Sequence, residues 1–222
     1  NRTLKLLVFC GIALRVALWC FQSAPEGDDG MRYLSESINM VRHGVFSTAP
    51  YTSVTCAPAP SAHDLPLWPG IMAVVYWATD SVRATQYIAG AINIMLVLGS
   101  ALVLASMLRK EPFAFSEKQV AVSVGVLLFM PESVVYSLCH MPDQLAVFFM
   151  ICGLWFYFRA ANSAGRYMCG AALSFLLAIY AKPICIPLTI ALMLAALLVL
   201  RGCLWWRIAI VAVSAAIIAG RS

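Results

Sequence analysis

The fold of this chain is decided by residues 4–33, which read LKLLVFCGIALRVALWCFQSAPEGDDGMRY. Residues 4–22 form an apolar run of the length that crosses a bilayer, which takes about 20 mostly apolar residues. Three carboxylates then fall within four positions, at Glu26, Asp28 and Asp29. Only 11% of the residues in this chain are charged. We therefore expect the chemistry of the protein in this acidic cluster, directly after its first membrane helix.

Composition places the whole chain in a membrane. Of its 222 residues 62% are hydrophobic, and the mean hydropathy is +0.86. Soluble domains contain about 45–50% apolar residues, so the surroundings of this chain must include lipid. The formal net charge is +5. Beside membrane helices a basic excess reports orientation, so we expect membrane lipids and no nucleic acid as partners.

The pattern of apolar runs predicts an all-α integral membrane protein with about seven transmembrane helices. The first span covers residues 4–22, an outer loop with surface helices covers 23–80, and six further spans occupy 84–220. We predict a single transmembrane domain over 1–222. Because the chain stops directly after an apolar run, a C-terminal remainder is expected to follow. The third span should bend at Pro131, and the fifth should end at Lys182-Pro183.

Within the outer loop, apolar residues recur at helical spacing and polar residues occupy the opposite face. This predicts an amphipathic helix along the outer membrane surface, with Asp29 as its N-cap and Gly44 directly after its end. A short apolar helix should follow and end near residue 79. The apolar positions are Met31, Leu34, Ile38, Val41 and Val45, and the polar positions are Arg32, Ser35, Glu36, Asn39 and Arg42.

Orientation follows from the placement of basic residues, which concentrate in alternate loops. Cytoplasmic loops carry the excess of Lys and Arg. We therefore predict a cytoplasmic N terminus and an acidic loop that faces the periplasm or exterior, with a bacterial inner membrane favoured over the endoplasmic reticulum. The residues counted are Arg2, Lys5, Arg109, Lys110, Lys118, Arg159, Arg166, Arg201 and Arg207.

The remaining polar residues converge on the outer side and supply the candidate site. Asp29 is a candidate general base, since desolvation at the mouth of a cavity raises the pKa of a carboxylate. Helix N-capping explains the same residue. His63 and Asp64 are candidate ligands of a divalent metal ion, together with Asp28 or His140. A polar loop without metal explains them too.

Three further residues have both structural and functional explanations. Arg15 lies inside the first span, where it must face protein, reach the interface or contact an anion. Lys182 either pairs with a phosphate or reaches the interface with its amine. Asp143 stands at a helix start, where a carboxylate complements the helix dipole.

Four motifs follow one another in a fixed order along the chain. Asp29 precedes Tyr33 by four residues in the first outer loop, before a helix that ends at Gly44. A proline-rich helix entry follows at 64–71, then Pro131, Tyr136 and the turn 141–143, then the step 181–183. This order resembles the GT-C glycosyltransferases, in the branch that includes the protein O-mannosyltransferases and the bacterial aminoarabinose transferase. Gly30 departs from the pattern of this family, in which an acid or small polar residue is common there.

The resemblance implies a transferase that takes a sugar from a polyprenyl-phosphate donor in the outer leaflet. The acceptor would be a lipid, a glycan or a protein. Asp29, or else Asp28, would activate the acceptor for inverting attack at the anomeric carbon. Lys182, Arg15 or a metal ion would stabilise the phosphate leaving group. The resemblance also places four residues at the substrate, namely Arg32, Tyr33, His140 and Asp143.

Two alternatives belong to other functional classes. In a transporter or channel half, the outer acids would guard a cation path. The low number of charges in mid-span and the lack of an evident inverted repeat argue against it. A non-catalytic scaffold subunit would keep the fold, but it would have no need of the acidic cluster.

Overall fold

The computed structural model describes residues 2–21, 28–52, 58–61, 64–110, 113–160, 166–187 and 189–191. Every regular element within these ranges is helical, which confirms the predicted all-α class. The chain divides into two compact units, Asn1–Leu145 and Ala146–Ser222. The helices are α1 (Arg2–Phe21), α2 (Asp28–His43), α3 (Leu67–Thr79), α4 (Val82–Leu108), α5 (Glu117–Phe129), α6 (Pro131–Leu138), α7 (Asp143–Ala160) and α8 (Arg166–Ala181).

Two described helices, α1 and α4, are long and apolar enough to cross a membrane. The bent pair α5 and α6, whose axes differ by 50°, makes a third candidate span if it is counted as one. The bend lies at Pro131, as predicted, because proline cannot donate the hydrogen bond that would continue α5. Seven spans stay a prediction. Most of the sixth predicted span and all of the seventh lie outside the described residues.

In the first unit, one face of α1 packs against α4, α5 and α6. Gly11, Arg15 and Trp19 lie on this face, one turn apart from each other. A Cβ at Gly11 would lie 3.1 Å from Cβ of Leu128, so the glycine allows the two helices to approach closely. Trp19 meets the ring of Tyr87 edge-on, with 5.7 Å between the ring centroids. These contacts fix α1 on the bent pair and on α4.

Helix α2 packs along α3, and its residues Leu34 and Ile38 are both fully buried. Gly44 ends α2 with a φ of 66°, and its N–H donates to Met40 O over 3.1 Å. This left-handed cap confirms the predicted end of the helix. Helix α3 is exposed at Trp77, of whose surface 75% is accessible.

The turn between α6 and α7 is held by side chains from α3 and α4. Asn93 Nδ2 donates to Cys139 O over 2.7 Å and to Met141 O over 3.1 Å. Trp68 Nε1 donates to His140 O over 2.9 Å. Three successive carbonyl oxygens of this turn therefore accept hydrogen bonds. These bonds fix the backbone of His140 within the first unit.

The second unit contains the rest of α7 and α8. Its core is formed by Met150, Met168 and Phe175 with two alanines of α8. A Cβ at Gly153 would lie 2.5 Å from the ring of Phe175, so this glycine is required for the ring to fit. Helix α8 ends before Lys182, as predicted, and a short 3₁₀ turn begins at Pro183.

Candidate functional site

The polar face of α2 is buried, although an amphipathic surface helix should expose it to water. All residues from 33 to 39 are buried. The following segment covers this face, because Asn39 Nδ2 donates to Ser47 O over 3.0 Å and to Ala49 O over 2.8 Å. The prediction of an amphipathic helix is confirmed, and protein encloses the middle part of its polar face. Polar groups enclosed in this way can act in a lowered dielectric.

Arg32 is the centre of an ion-pair cluster on this face. Its Nε and Nη2 donate to the two carboxylate oxygens of Asp64, and Nη1 lies 3.0 Å from Oδ1 of Asp29. Its guanidinium carbon also lies 5.5 Å from the centroid of the Tyr33 ring. A planar guanidinium held at two points by one carboxylate has a fixed orientation. Arg32 therefore positions Asp29 relative to Asp64.

Asp29 lies inside the first turn of α2, so its prediction as the N-cap was wrong. Its side chain is 53% exposed and thus open to a substrate. We predicted that protein would enclose Asp29. Instead it encloses Asp64, whose side chain is only 13% exposed. Asp28 is the first residue of α2, and its side chain lies outside what the structure describes.

Glu36 is the most enclosed acid of the cluster and was missed as a site residue. It lies one turn after Arg32 on α2, with an exposed fraction of 0%. Among the described residues, no hydrogen-bond partner is found for either of its oxygens. Burial, and then the charge and acceptor oxygens of Asp64, raise the pKa of Glu36 to about 8, against the opposing charge of Arg32. This raised pKa favours the protonated, neutral form of the carboxyl group at neutral pH.

Tyr33 completes the cluster as a neutral phenol. Burial, and then the negative charge of Asp64, raise the pKa of Tyr33 to about 12. The hydroxyl group therefore keeps its proton throughout the physiological range. Tyr33 can donate a hydrogen bond here, but it cannot act as a phenolate base near neutral pH.

His140 packs directly against the start of α2. A Cβ at Gly30 would lie 2.8 Å from Nε2 and 2.9 Å from Cδ2 of His140. The imidazole is almost fully buried. The contact requires a glycine at position 30, since any side chain there would displace the ring. It also places His140 next to the residue that follows Asp29.

A cavity of about 470 Å³ opens between α2 and the segment that covers it. Cavities of this size accept small organic ligands. Arg32 forms part of its wall and links it to the ion-pair cluster. The lining residues are Met31, Arg32, Ser35, Thr48, Pro50, Tyr51 and Thr52.

Arg15 does not reach this site, which corrects its prediction as a phosphate-binding residue. The side chain is 0% exposed and all its described acceptors are neutral. Nε donates to Ser137 Oγ, Nη1 to Gly11 O and Leu128 O, and Nη2 to Ser133 Oγ, over 2.7–3.0 Å. Four of the five guanidinium N–H groups are thereby used inside the protein. Arg15 holds the α5–α6 bend.

Two other predicted residues, Asp143 and Lys182, lie at the helix ends where the sequence placed them. Asp143 begins α7, where its carboxylate complements the helix dipole, as expected. Lys182 stands before the 3₁₀ turn in the second unit, and its backbone N–H donates to Ala178 O over 2.9 Å. Its contact with a phosphate stays a prediction.

The predicted metal site at His63 and Asp64 finds no support in the geometry. His63 lies outside the described residues. Both oxygens of Asp64 accept hydrogen bonds from Arg32, so this carboxylate serves a cation of the protein itself. Within the described ranges, no three His, Cys, Asp or Glu side chains gather as a metal site would require. In this structure Asp64 is the partner of Arg32, and metal binding at His63 and Asp64 stays a prediction.

Comparisons with protein families, curated proteins and solved structures find no match to this chain.

Proposed function

We propose that this chain is a membrane glycosyltransferase of the GT-C type, which transfers a sugar from a polyprenyl-phosphate donor to an acceptor with inversion. One observation carries the proposal. Asp29 is half-exposed and oriented by Arg32, which is itself fixed by Asp64 and lines a cavity of about 470 Å³. A base, a group that orients it and an adjoining cavity are the parts that acid–base chemistry needs.

In the proposed reaction, Asp29 takes the proton of an acceptor hydroxyl or amine. The acceptor atom then bonds to the anomeric carbon, while the bond from that carbon to the phosphate oxygen breaks. The electron pair leaves with the polyprenyl phosphate. Tyr33 and Arg32 would position sugar hydroxyl groups, and His140 would support the first turn of α2 through Gly30.

The charge balance argues for a neutral group in this cavity. Arg32 already faces the carboxylates of Asp29 and Asp64, so the cluster has a net negative charge. A phosphate would be repelled there, whereas sugar hydroxyl groups can bond to both carboxylates and guanidinium. The phosphate group of the donor therefore needs a cation from elsewhere. Lys182 or a divalent ion bound away from Asp64 would supply it.

We also propose seven spans, with the N terminus in the cytoplasm and the Asp29 cluster facing the periplasm or exterior. The alternation of basic loops supports this orientation. A polyprenyl-phosphate donor, whose lipid tail lies in the bilayer, would then approach the cluster from the outer leaflet.

The test is sugar transfer by the full-length protein in liposomes that contain a polyprenyl-phosphate sugar. We expect Asp29→Asn to lower kcat/KM by about 10²- to 10⁴-fold, the usual contribution of a general base. Asp28→Asn is measured separately. Asp80→Asn is the matched control, since Asp80 is exposed and left-handed, a conformation that asparagine accepts.

Transfer that survives in both Asp29→Asn and Asp28→Asn would exclude the catalytic assignment. A parent protein that transfers no sugar from such donors, but that lets cations into the liposomes, would favour the transporter class. A parent protein without either activity would favour the scaffold class.

A further inference from the structure

Helix α3 and the first half of α4 form an antiparallel pair that is fixed at both ends. Asp80 and Ser81 join the two helices directly. At the other end, Trp68 of α3 and Asn93 of α4 donate hydrogen bonds to the same α6–α7 turn. The two stretches between these points are equal in length, about 18 Å each. The end of α3 therefore lies beside the first turns of α4, and the start of α3 lies beside the middle of α4.

Helix α4 has the length of a whole bilayer. Its 27 residues extend over about 40 Å, whereas the hydrocarbon core is about 30 Å thick and the bilayer with its headgroups about 40–45 Å. Arg83 lies in the first turn of α4, and residues 88–108 include no Asp, Glu, Lys or Arg. In a bilayer, the first two turns of α4 therefore lie among the headgroups, and the hydrocarbon core begins near Ile88. The end of α3 shares the depth of the headgroups.

One face of α3 is apolar and open in the part of the chain that the structure describes. Val74 is 65% exposed and Trp77 is 75% exposed. Three residues apart, they are neighbours on the helix surface. The other side of α3 is closed, since Met72 and Tyr76 are almost fully buried. Leaving a large apolar side chain in water costs free energy, so the open face fits an apolar or interfacial environment.

Helix α2 uses its own apolar face inside the protein. At Leu34 and Ile38, which are fully buried, this face contacts protein and not lipid. The start of α2 packs against the α6–α7 turn, as the start of α3 does. Near its end, the guanidinium of Arg42 covers the ring of Tyr76 on α3. Helix α2 therefore runs beside α3, and among the described residues of the outer loop α3 offers the open apolar surface.

We propose that the exposed face of α3, at Val74 and Trp77, is a lipid-binding surface with which α3 enters one leaflet of the bilayer beside α4. The 13 residues of α3 extend over about 20 Å, which is too short to cross the membrane but close to the thickness of one leaflet with its headgroups. Trp77, at the depth of Arg83, lies among the headgroups, where tryptophan is enriched. In the orientation proposed above, this is the outer leaflet.

The exposed surface of α4 identifies lipid as the occupant, in preference to a second copy of the chain. Ile88, Met95 and Leu102 lie seven residues apart on one face of α4, and they are 37%, 65% and 57% exposed. On a helix that crosses a membrane, such a stripe faces acyl chains. Because α3 runs beside the first half of α4, the lipid that covers this stripe also surrounds α3.

The direct test is tryptophan fluorescence of the full-length protein in liposomes whose acyl chains carry bromine, a quencher that acts on contact. The difference in emission between the parent and Trp77→Phe isolates the emission of Trp77. We expect most of this difference to disappear in brominated liposomes, and more of it when the bromine lies near the headgroup than when it lies near the end of the chain. The matched control is Trp68→Phe, on the buried side of α3. Its difference should be equal in brominated and plain liposomes.

Two results would overturn the proposal. If iodide ions in the water quench the emission of Trp77 and brominated lipid does not, the face of α3 lies in water. If neither quencher changes this emission, protein covers Trp77, and a second copy of the chain becomes the better occupant.

The second test is unfolding of Val74→Asp and Val74→Ala in detergent micelles. Valine and aspartate have similar helix propensities, so at a position in water the first substitution should change the folding constant by no more than about twofold. We expect a loss of about tenfold instead, because a charged side chain is costly beside acyl chains. Val74→Ala should stay close to the parent. Equal folding constants for the two variants would contradict the proposal. Neither test depends on sugar transfer.

Discussion

Arg15 and Arg32 place the same guanidinium group in opposite surroundings within one compact unit. Arg15 is enclosed between α1 and the α5–α6 bend, and its described hydrogen bonds all go to neutral oxygens. Arg32 lies at the edge of a cavity, and its described polar contacts go to the carboxylates of Asp29 and Asp64. The first arginine joins helices, whereas the second orients acids.

The acceptors, and not the residue type, decide what each of these two arginines does. The carbonyl and hydroxyl acceptors of Arg15 are neutral and do not compensate its charge. They use four of its N–H groups, so Arg15 holds the helices together and has little capacity left to bind a ligand. Carboxylates make the charge part of a titrating cluster, which can respond to substrate and protons. Arg109 adds a third case, an exposed ion pair with Glu117.

The largest effect is expected for Arg15→Leu, which removes four hydrogen bonds, three of them to α5 and α6. Leu128 O and the hydroxyl of Ser133 would be left in apolar surroundings. We expect a loss of about 3–5 kcal/mol in the free energy of unfolding, since hydrogen bonds to charged groups contribute about 1.5–3 kcal/mol each and are not additive. Unfolding in detergent micelles measures it. Arg83→Leu, at an exposed arginine of α4, is the control and should change little.

An intermediate effect is expected for Arg32→Leu, which leaves Asp64 without its cation. We expect a loss of about 1–3 kcal/mol in the free energy of unfolding, the typical cost of an unpaired, partly buried acceptor. Arg32→Lys should recover part of it, because an ammonium group cannot bond to both oxygens of Asp64 as the guanidinium does. The same unfolding assay decides the point. Equal stability of the parent and Arg32→Leu would show that the ion-pair cluster contributes nothing to the fold.

The smallest effect is expected for Arg109→Ala. Nε of Arg109 lies 2.7 Å from Oε1 of Glu117, but both side chains are more than one-third exposed. Exposed pairs contribute about 0–1 kcal/mol and are screened by salt. The change in the free energy of unfolding should therefore stay below about 1 kcal/mol and vanish at high salt. A larger loss than for Arg32→Leu would reverse the order that burial predicts.

The helices were predictable because their signals are local. The apolar run at 4–22 corresponds to α1, Pro131 marks the bend, and Gly44 caps α2. Each of these features depends on residues within a turn or two of each other in sequence. Periodicity and the special backbone chemistry of proline and glycine act over that range.

The site was only partly predictable because its contacts are distant in sequence. Asp29, Arg32 and Tyr33 were identified from spacing, but the sequence could not show that Asp64 is the partner of Arg32. The partners of Arg15 lie on helices more than 100 residues later, apart from Gly11. Glu36 gave one usable signal, an acid one turn after an arginine on the polar face of α2. Its burial depends on Asn39 and the segment that covers that face.

The contact between Gly30 and His140 has a consequence for how this protein can vary over evolutionary time. A side chain at position 30 requires a smaller residue at position 140, since a Cβ would overlap the imidazole. Substitutions at these two positions therefore cannot accumulate independently, although they are separated by most of the first unit. Lineages in which position 30 carries an acid should have a replaced histidine at position 140. Paired changes of this kind would record the packing of α2 against the α6–α7 turn in sequence alone.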